Sequence, residues 1–268
     1  LFAGPAPSDA IVKQIGQVTL VIGQVTVRHA TGTTETLTKG DPIYLGDALI
    51  TGAGGFVKAK MIDGTDFHLG KNGEVVLDDY QFNEAQDVGR FEATVRVGGF
   101  YYKSGKIGEL PSASQQAHTQ LNTPTSIIGV RGSELEGAVS PTGETVVVHK
   151  SGVLEVTDQN GENAVTLTQI GQTAVIQLGG APNSYAQAPP EVAAQIADAV
   201  APPAEAEEEA EEAEEDAEEE VAEEEAETEE DAEATEEEAE ETEETTGEEE
   251  EAEEEEAEEE EAEEEEAE

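Results

Sequence analysis

Apolar residues recur at every second position in short runs between residues 11 and 178. Val18, Leu20 and Ile22 form one such run, and Val25 and Val27 form the next. This period places the apolar side chains on one face of a β-strand, and no part of the range keeps the period of an amphipathic helix. The pattern predicts an all-β domain of many short antiparallel strands, arranged as a short solenoid or as a sandwich.

Dipeptides that contain glycine separate these runs and predict the turns. Asp63-Gly64 lies between two apolar runs and predicts a hairpin with a two-residue turn. Asn72-Gly73 repeats this signal, while Gly98-Gly99 predicts a bulge or break between two strands in residues 91–102. Residues 110–119 (LPSASQQAHT) are polar and predict a loop.

Two segments of the chain resemble each other. GQVTVRHATG, residues 23–32, aligns with GVLEVTDQNG, residues 152–161, with glycines at the same spacing and apolar residues at matching positions. Each segment is followed by a strand pattern and a further glycine, Gly40 or Gly171, at slightly different spacing. This self-similarity predicts a duplicated hairpin unit.

The segment TPTSIIGVRGSELEG, residues 123–137, carries the most specific local signals. Pro124 has no backbone N–H and biases the preceding residue towards extended geometry, so no helix passes through the segment. The apolar β-branched residues after it suit a buried strand. The segment predicts a structural motif rather than an active site, and the motif comprises six residues: Thr123, Pro124, Gly129, Arg131, Gly132 and Ser133.

Arg131 is the charged member of this motif and is flanked closely by glycines. A guanidinium that is buried or half-buried needs acceptors. The sequence predicts a carboxylate partner from a turn, with Asp41, Asp47 and Asp63 as the candidates. Replacement of Arg131 is therefore expected to destabilise the domain rather than to remove a binding activity selectively.

The charge of the chain is concentrated at its end. The sequence has 268 residues, with 12 Lys and Arg against 65 Asp and Glu, and 44 of these acids lie in residues 204–268, which contain no basic residue. The composition predicts a linker or signal remnant at 1–10, a β domain at 11–178 and a linker at 179–203 that is rich in Pro and Ala. Within that linker, residues 191–200 predict a short helix.

Repulsion between like charges governs the expected behaviour of the tail, residues 204–268. Glutamates three and four positions apart in a helix repel by about 0.2–0.5 kcal/mol per pair. The tail is therefore predicted to be disordered and solvated at neutral pH and to become helical on acidification, which circular dichroism between pH 7 and pH 4 would show. It is expected to act as a spacer, to attract Ca²⁺ or Mg²⁺ weakly and to repel nucleic acid.

Residue types that carry catalysis or bind metals are sparse and scattered. The sequence has no cysteine, which excludes disulfides and thiolate chemistry. Its histidines, His29, His68, His118 and His149, form no metal-binding motif and are predicted to be surface or strand-end residues. No phosphate loop, dinucleotide fingerprint or nucleophile elbow occurs. The sequence therefore predicts no enzyme and assigns no catalytic, cofactor-binding or metal-ligating residue.

Three further patterns do not indicate a functional site. The DQNGE loop, residues 158–162, lacks the ligand spacing of a calcium loop. No run approaches the roughly 20 apolar residues of a membrane helix, so these residues are not expected to insert into a membrane. The lysines of the strand-rich middle are predicted to protect sheet edges. They are Lys58, Lys60, Lys71, Lys103 and Lys106.

Several ordered segments resemble the FecR domain family. TPTSIIGVRGSELEG is similar to the hallmark of that family, a Thr-Pro before an apolar run and Arg-Gly-Thr, with Ser133 in place of the usual threonine. GDPIYLGDALITGAGGFVKAKMIDGTDFHLGKNGEVVLDDYQF (40–82) resembles its first half, VGGFYYKSGKI (97–107) its central strands, and GVLEVTDQNGENAVTLTQIGQTAVI (152–176) its closing part. The first half also resembles retention modules of bacterial surface adhesins. The resemblance implies an all-β, extracytoplasmic bacterial domain that works by binding.

The resemblance leads to one principal hypothesis and two alternatives. The first is an exported, non-enzymatic protein that binds a protein or cell-envelope partner in the periplasm or at the cell surface, without a cofactor. The second is a regulatory sensor, because well-known FecR proteins relay signals from an outer-membrane receptor to a sigma factor; this hypothesis requires a membrane segment ahead of residue 1. The third is a structural acidic protein whose tail binds calcium or a cationic surface. The sequence leaves the partner and the oligomeric state open.

Overall fold

A computed structural model of the chain describes residues 13–114 and 117–202. Within these ranges the chain forms 15 strands and one α-helix, α1 (Pro190–Val200). The predicted all-β fold is therefore confirmed. The predicted signal remnant and acidic tail lie outside the described residues. The strands are β1 (Gln14–Ile22), β2 (Val25–Arg28), β3 (Thr34–Thr36), β4 (Pro42–Tyr44), β5 (Ala48–Thr51), β6 (Phe56–Met61), β7 (Asp66–Leu69), β8 (Glu74–Asn83), β9 (Val88–Lys103), β10 (Thr119–Asn122), β11 (Ser126–Val139), β12 (Thr145–Asp158), β13 (Val165–Leu167), β14 (Thr173–Ile176) and β15 (Asn183–Tyr185).

The strands pair into two layers that share three long strands. The first layer runs β15-β14-β12-β11-β9-β7-β6-β1-β4. The second layer runs β13-β12-β11-β10-β9-β8-β5-β2-β3. The pairing of β9 with β10 is parallel and the others are antiparallel. β9, β11 and β12 belong to both layers, so the fold is a sandwich whose long strands wrap from one layer into the other.

β9 shows this wrapping most directly. The rings of Phe91 and Tyr102, both on β9, lie 5.6 Å apart between centroids, whereas a straight strand of that length would separate them by about 36 Å. The strand bends at Gly98, which has a φ of 100°, a region that side-chain-bearing residues rarely adopt. Gly98-Gly99, predicted to separate two strands, thus marks the bend of one continuous strand.

Similar bends occur where the other strands change layers. Gly132 in β11 and Gly152 in β12 have φ values of 55° and 74°, and the β11–β12 register shifts between Arg131 and Glu134. Gly23, which separates β1 in the first layer from β2 in the second, has a φ of 62°. Left-handed glycines therefore set the points at which the chain passes between layers.

The core lies between the two layers and is built from the alternate positions that the sequence pattern identifies. Phe67 of the first layer lies 6.5 Å from Phe91 of the second, and it stacks on Phe100 at the same distance. All three rings are buried. Burial of each such side chain contributes roughly 1.5–3 kcal/mol, so contacts between these rings hold the layers together.

Two of the predicted turns differ from expectation. β6 and β7 form the predicted hairpin, but the loop has three residues, 62–64, with Gly64 alone at positive φ (83°). This is the arrangement of a type I turn followed by a glycine bulge. Asn72-Gly73 does not make a hairpin, because it joins β7 in the first layer to β8 in the second.

The predicted duplication is confirmed by matching hydrogen bonds. In the first copy, the Gly40 amide donates to the Val18 carbonyl, and β4 pairs with β1 while β3 pairs with β2. In the second, the Gly171 amide donates to the His149 carbonyl, and β14 pairs with the start of β12 while β13 pairs with its end. The two units lie at opposite ends of the strand orders of both layers.

The range 179–203, predicted as a linker, contains structure within its described part. β15 pairs with β14, and α1 packs against β9 and β11. The helix spans Pro190–Val200, close to the predicted 191–200. Among the described helices, none is long and apolar enough to cross a membrane.

Candidate functional site: the Arg131 corner and the helix groove

The first two residues of the predicted motif lie in the turn before β11, among buried hydroxyls. Thr123 Oγ1 accepts from the Ser126 amide (3.0 Å) and from Thr145 Oγ1 (2.8 Å). The Pro124 carbonyl accepts from the side-chain amide of Gln159. These hydrogen bonds fix the turn and the start of β11 against the neighbouring strand β12.

Arg131 pairs with Glu155, a residue that the sequence does not single out. Nη2 of Arg131 donates to Oε2 of Glu155 over 3.0 Å, and both side chains are partly exposed. Arg131 lies opposite Val153, and Glu155 is two residues further along β12, so the pair is a diagonal contact on the sheet face. Within the described part of the chain, the buried Nε of Arg131 has no hydrogen-bond partner.

The predicted carboxylate partners of Arg131 are wrong because each serves its own turn. They are Asp41, Asp47 and Asp63. Each accepts a hydrogen bond, at 2.6–2.9 Å, from a donor two or three residues away: Thr38, Tyr44 or Thr65. Such local bonds are the usual chemistry of aspartate in turns.

Gly132 and Ser133 form the bend of β11. A Cβ on Gly132 would lie 3.0 Å from the carbonyl oxygen of Gly108. Ser133 Oγ accepts from the Val153 amide over 2.8 Å. We call residues 131–133 with these partners the Arg131 corner; it joins β11 to β12 and to the short 3₁₀ turn that precedes residue 110.

The buried carboxylate of Asp63 accepts hydrogen bonds from three other residues of the domain. It is 1% exposed and accepts from Tyr80 Oη (2.9 Å), Thr65 Oγ1 (2.6 Å) and the Ile107 amide (3.2 Å). Burial, followed by the negative charge of Asp63, raises the pKa of Tyr80. Tyr80 therefore keeps the proton that this hydrogen bond requires, and the network links the β6–β7 turn to β8.

Two of the histidines lie inside strands, contrary to the prediction. His149 in β12 is 1% exposed, and its Nε2 donates to the Gly152 carbonyl over 2.8 Å. His68 in β7 stacks on Tyr101 with ring centroids 4.6 Å apart. Burial, with a further contribution from the positive charge of Lys58, lowers the pKa of His68 to about 3. His68 is therefore neutral at physiological pH.

His29 follows β2 and contacts two carboxylates. Its Nδ1 lies 2.8 Å from Oδ1 of Asp47, which is 1% exposed. A His–Asp pair orients an imidazole for catalysis only when a nucleophile faces the other nitrogen. Here Nε2 faces the Glu35 carboxylate at 3.9 Å, so the arrangement is not a triad.

Ser112 and His118 have the spacing of a nucleophile and its base. His118 Nδ1 lies 2.7 Å from the Gly89 carbonyl and must carry a proton, and its Nε2 lies 2.9 Å from Ser112 Oγ. Ser112 Oγ also lies 2.8 Å from Oδ1 of Asp87. Because a hydroxyl has one proton, Asp87 competes with His118 for it. The cluster fastens the turn at 111–114 to Asp87, the residue that ends the short 3₁₀ turn at 84–86 before β9.

The acidic loop at 158–162 uses its carboxylate to hold its own backbone. Oδ1 of Asp158 accepts from the amides of Asn160 and Glu162, both at 2.9 Å, and Oδ2 accepts from Asn163. These hydrogen bonds, first that from Glu162, lower the pKa of Asp158. Across the residues that the structure describes, no group of three or more potential ligands could hold a metal ion.

The lysines predicted to protect sheet edges lie mainly in the middle of the first layer, so that prediction is wrong. Lys58 and Lys60 are on β6, between β1 and β7, and Lys103 is on β9, between β7 and β11. Lys60 is opposite Asp66, which is opposite Lys103, which is opposite Glu134. This row of alternating charge crosses the outer face of the first layer.

α1 lies on the same outer face, over β9 and β11. A Cβ on Gly70 or Gly99 would overlap the carbonyl oxygen of Ala199, so the helix backbone occupies the space that a side chain would fill. Ile196 is 2% exposed and anchors the helix. We call the surface formed by Gly70 and Gly99 the helix groove; no local pattern in the sequence indicates it.

Comparisons with known proteins give partial likenesses. No family model and no curated protein matches the chain. A cell surface anchoring domain is 37% identical over 23% of this chain and 82% of that domain, with a TM-score of 0.23. Two crystal structures of candidate anti-sigma factors from Parabacteroides distasonis are 13% and 14% identical, with TM-scores of 0.42 and 0.40. The matches span 52% and 55% of this chain, and 59% and 63% of the two anti-sigma-factor chains. None of these scores carries an argument about fold or function, so membership of the FecR family stays a prediction.

Proposed function

We propose that this chain is a non-enzymatic binding domain of the bacterial cell envelope or surface, which recognises a polypeptide segment on the outer face of its first layer. One observation carries the proposal. A helical segment, α1, is already bound on that face, with its backbone at Gly70 and Gly99 and its anchor Ile196 buried. These contacts are shape and apolar burial, so binding needs no cofactor.

The use of polar residues supports binding rather than catalysis. Three polar side chains form hydrogen bonds that hold turns and bends of the backbone: Asp63, Ser133 and Asp158. Ser112 and His118 are tied to Asp87 and to a backbone carbonyl. Polar groups that are held in this way stabilise one conformation of the loops around the sandwich.

The proposed location outside the cytoplasm rests on the resemblance of the sequence to the FecR domain. For the tail, whose residues lie outside the described part, we propose a spacer that attracts divalent cations weakly. Its 44 carboxylates without a basic residue favour an extended, solvated chain.

The test is site-specific photo-crosslinking in bacteria that export the full chain. A crosslinking amino acid replaces Lys103, exposed on the first layer, or Thr166, exposed on β13 of the second layer, as the matched control. We expect one envelope protein to be crosslinked from position 103 and not from position 166. The same result is expected for a chain that ends at residue 202.

Four results would overturn the proposal or a part of it. Recovery of cytoplasmic proteins alone would remove the envelope role, and equal crosslinking from both positions would remove the assignment to the first layer. A hydrolytic activity that is lost in Ser112→Ala would show that the protein is an enzyme. Capture of a sigma-factor regulator from position 103 would mean that the domain relays signals instead of only binding an envelope protein.

A further inference from the structure

The fastening of α1 is weak for a helix of its length. Ile196 is the one buried residue among its 11, and three others are half-buried: Val192, Ala199 and Val200. Its N-cap is Pro189, which makes no side-chain hydrogen bond, although a capping side chain typically contributes about 1 kcal/mol. An isolated helix this short is marginal in water. The helix therefore depends on the groove and can leave it at small cost.

The electrostatic contacts add little to this fastening. Lys71 pairs with Asp198 at 2.8 Å, but the two side chains are 41% and 73% exposed, so the pair is screened by solvent. Asp198 also lies in the last turn of α1, where a negative charge opposes the helix dipole. Nothing electrostatic in these contacts locks α1 in place.

The groove, by contrast, is built for close backbone approach. The three heavy atoms nearest to a Cβ on Gly99 all belong to Ala199. Neither Gly70 nor Gly99 has a positive φ, so backbone conformation does not require glycine at either position. What requires it is the helix that lies there.

We propose that α1 is a displaceable strap, which occupies the helix groove at rest and yields it to a helix of a partner protein. The inference rests on the proposed function and names the partner's chemistry. The partner helix repeats the contact pattern of α1: a branched apolar residue in the place of Ile196, a small residue in the place of Ala199, and a carboxylate that can reach Lys71. A tethered competitor has an effective concentration of the order of millimolar, so α1 lowers the apparent affinity for the partner until it is displaced.

A second copy of this chain is a poor occupant. The formal net charge is −53 per chain, and α1 leads directly towards the acidic tail. Two chains of this charge repel each other, which disfavours exchange of α1 between two copies. The expected occupant is therefore a different protein.

The experiment measures binding of a synthetic helix to the full-length chain. The labelled probe keeps the residues of α1 that correspond to Val192, Ile196, Asp198, Ala199 and Val200, with Ala, Glu and Lys at the other positions to raise its helicity. Fluorescence anisotropy is measured on wild type and on three variants: Ile196→Asp, which releases α1 and leaves the groove open, Gly99→Ala, which fills the groove, and the double variant that carries both substitutions. Gly54→Ala is the matched control, because nothing lies within 4 Å of a Cβ there.

We expect the probe to bind Ile196→Asp at least about tenfold more tightly than wild type and not to bind the Ile196→Asp, Gly99→Ala double variant. Gly54→Ala should behave as wild type. Hydrogen exchange supplies a second measurement: amides of α1 should exchange faster in both Ile196→Asp and Gly99→Ala, while those of β9 and β11 stay protected.

Equal affinity of the probe for wild type and Ile196→Asp would overturn the inference, and so would binding that survives Gly99→Ala. Protection of α1 equal to that of β9 in the wild type would also contradict it. Failure of this experiment is distinct from failure of the proposed function. The envelope partner could still be crosslinked from position 103 if it bound beside a permanently docked α1.

Discussion

Arg131 makes one ion pair, with Glu155, and both side chains are 36–44% exposed. A pair of this kind contributes up to about 1 kcal/mol, and the aliphatic stem of the arginine adds packing. We therefore expect Arg131→Ala to lower the free energy of unfolding by about 1 kcal/mol. Urea denaturation followed by circular dichroism measures the change.

Arg131→Met separates the stem from the charge. It keeps most of the packing and removes the buried Nε that has no partner among the described residues, so we expect it to stay within about 0.5 kcal/mol of wild type. A fully stable Arg131→Ala variant that no longer captured the envelope partner would show instead that the residue is part of a binding surface.

His68 makes the domain sensitive to acid. The pKa of His68 is about 3 in the folded protein and 6.5 for an ordinary histidine. As the pH falls below about 6.5, the unfolded chain takes up a proton that the folded chain does not, so stability is lost from there down to about pH 3. Between pH 7.5 and 5.5 this amounts to about 1 kcal/mol.

The measurement compares wild type with His68→Gln, which cannot titrate. Urea midpoints of both proteins are determined at pH 7.5 and pH 5.5, so that titration of the shared carboxylates, including those of the tail, cancels in the comparison. We expect wild type to lose more stability than His68→Gln on acidification. An identical loss in both proteins would mean that His68 is accessible to protons in the folded state.

The bends of the long strands require particular glycines, and two glycines of β11 allow a controlled test of this requirement. Gly132 has a φ of 55° and little space for a Cβ, whereas Gly129 on the same strand has no positive φ and room for an ordinary contact, 3.4 Å from Ala117. We expect Gly132→Ala to cost about 1–3 kcal/mol. Gly129→Ala should be neutral or slightly stabilising, because alanine reduces the entropy of the unfolded chain. Thermal unfolding of the two variants tests this difference, and equal midpoints would contradict the role of Gly132 as a bend.

The strands and the break at Gly98-Gly99 could be predicted because their signals are local, whereas the change of layer at that break could not. Alternation of apolar residues identifies β1, β6 and β7 from the sequence, since the period reports which face is buried. That β9 continues through Gly98 into the other layer depends on the partner of each half of the strand, and this leaves no local pattern. For the same reason the sequence predicts Asn72-Gly73 to be a hairpin when it is a passage between layers.

The candidate site was predictable only in part. The motif around Arg131 stands out in the sequence, but its partner Glu155 follows from the β11–β12 register, which is a long-range property. The helix groove combines Gly70, Gly99 and α1, which are far apart along the chain, so no window of sequence contains it. The same holds for the cluster of Asp87, Ser112 and His118.

At the scale of the whole molecule, the duplicated units give the sandwich similar ends. β4 and β3 end the two layers on one side, and β13 and the β14–β15 pair end them on the other. β3, β4, β13 and β15 have three residues each. Short edge strands limit pairing with other chains, so this arrangement favours a sandwich that does not extend by edge-to-edge association.

Truncation tests whether the residues after 178 are a linker or part of this design. We expect a chain that ends at residue 202 to keep the oligomeric state and the stability of the full chain. A chain that ends at residue 178 loses β15 and α1, which uncovers one edge of β14 and the surface beneath Ile196. An unpaired edge and an exposed apolar patch both promote association, so this shorter chain should self-associate and unfold at a lower temperature.

Sedimentation velocity and thermal unfolding on the two truncated chains give the readouts. One outcome is that α1 is a strap but β15 does not protect the edge of β14. The chain that ends at residue 178 would then not self-associate, would bind the synthetic helix as tightly as Ile196→Asp, and would lose little stability. If β15 and α1 both belong to the sandwich, the chain that ends at residue 178 should associate, and more so at higher protein concentration. The synthetic helix should suppress this association only partly, because it leaves the β14 edge open. Identical behaviour of the two chains would show that residues 179–202 are a passive linker after all, and it would remove the physical basis of the strap.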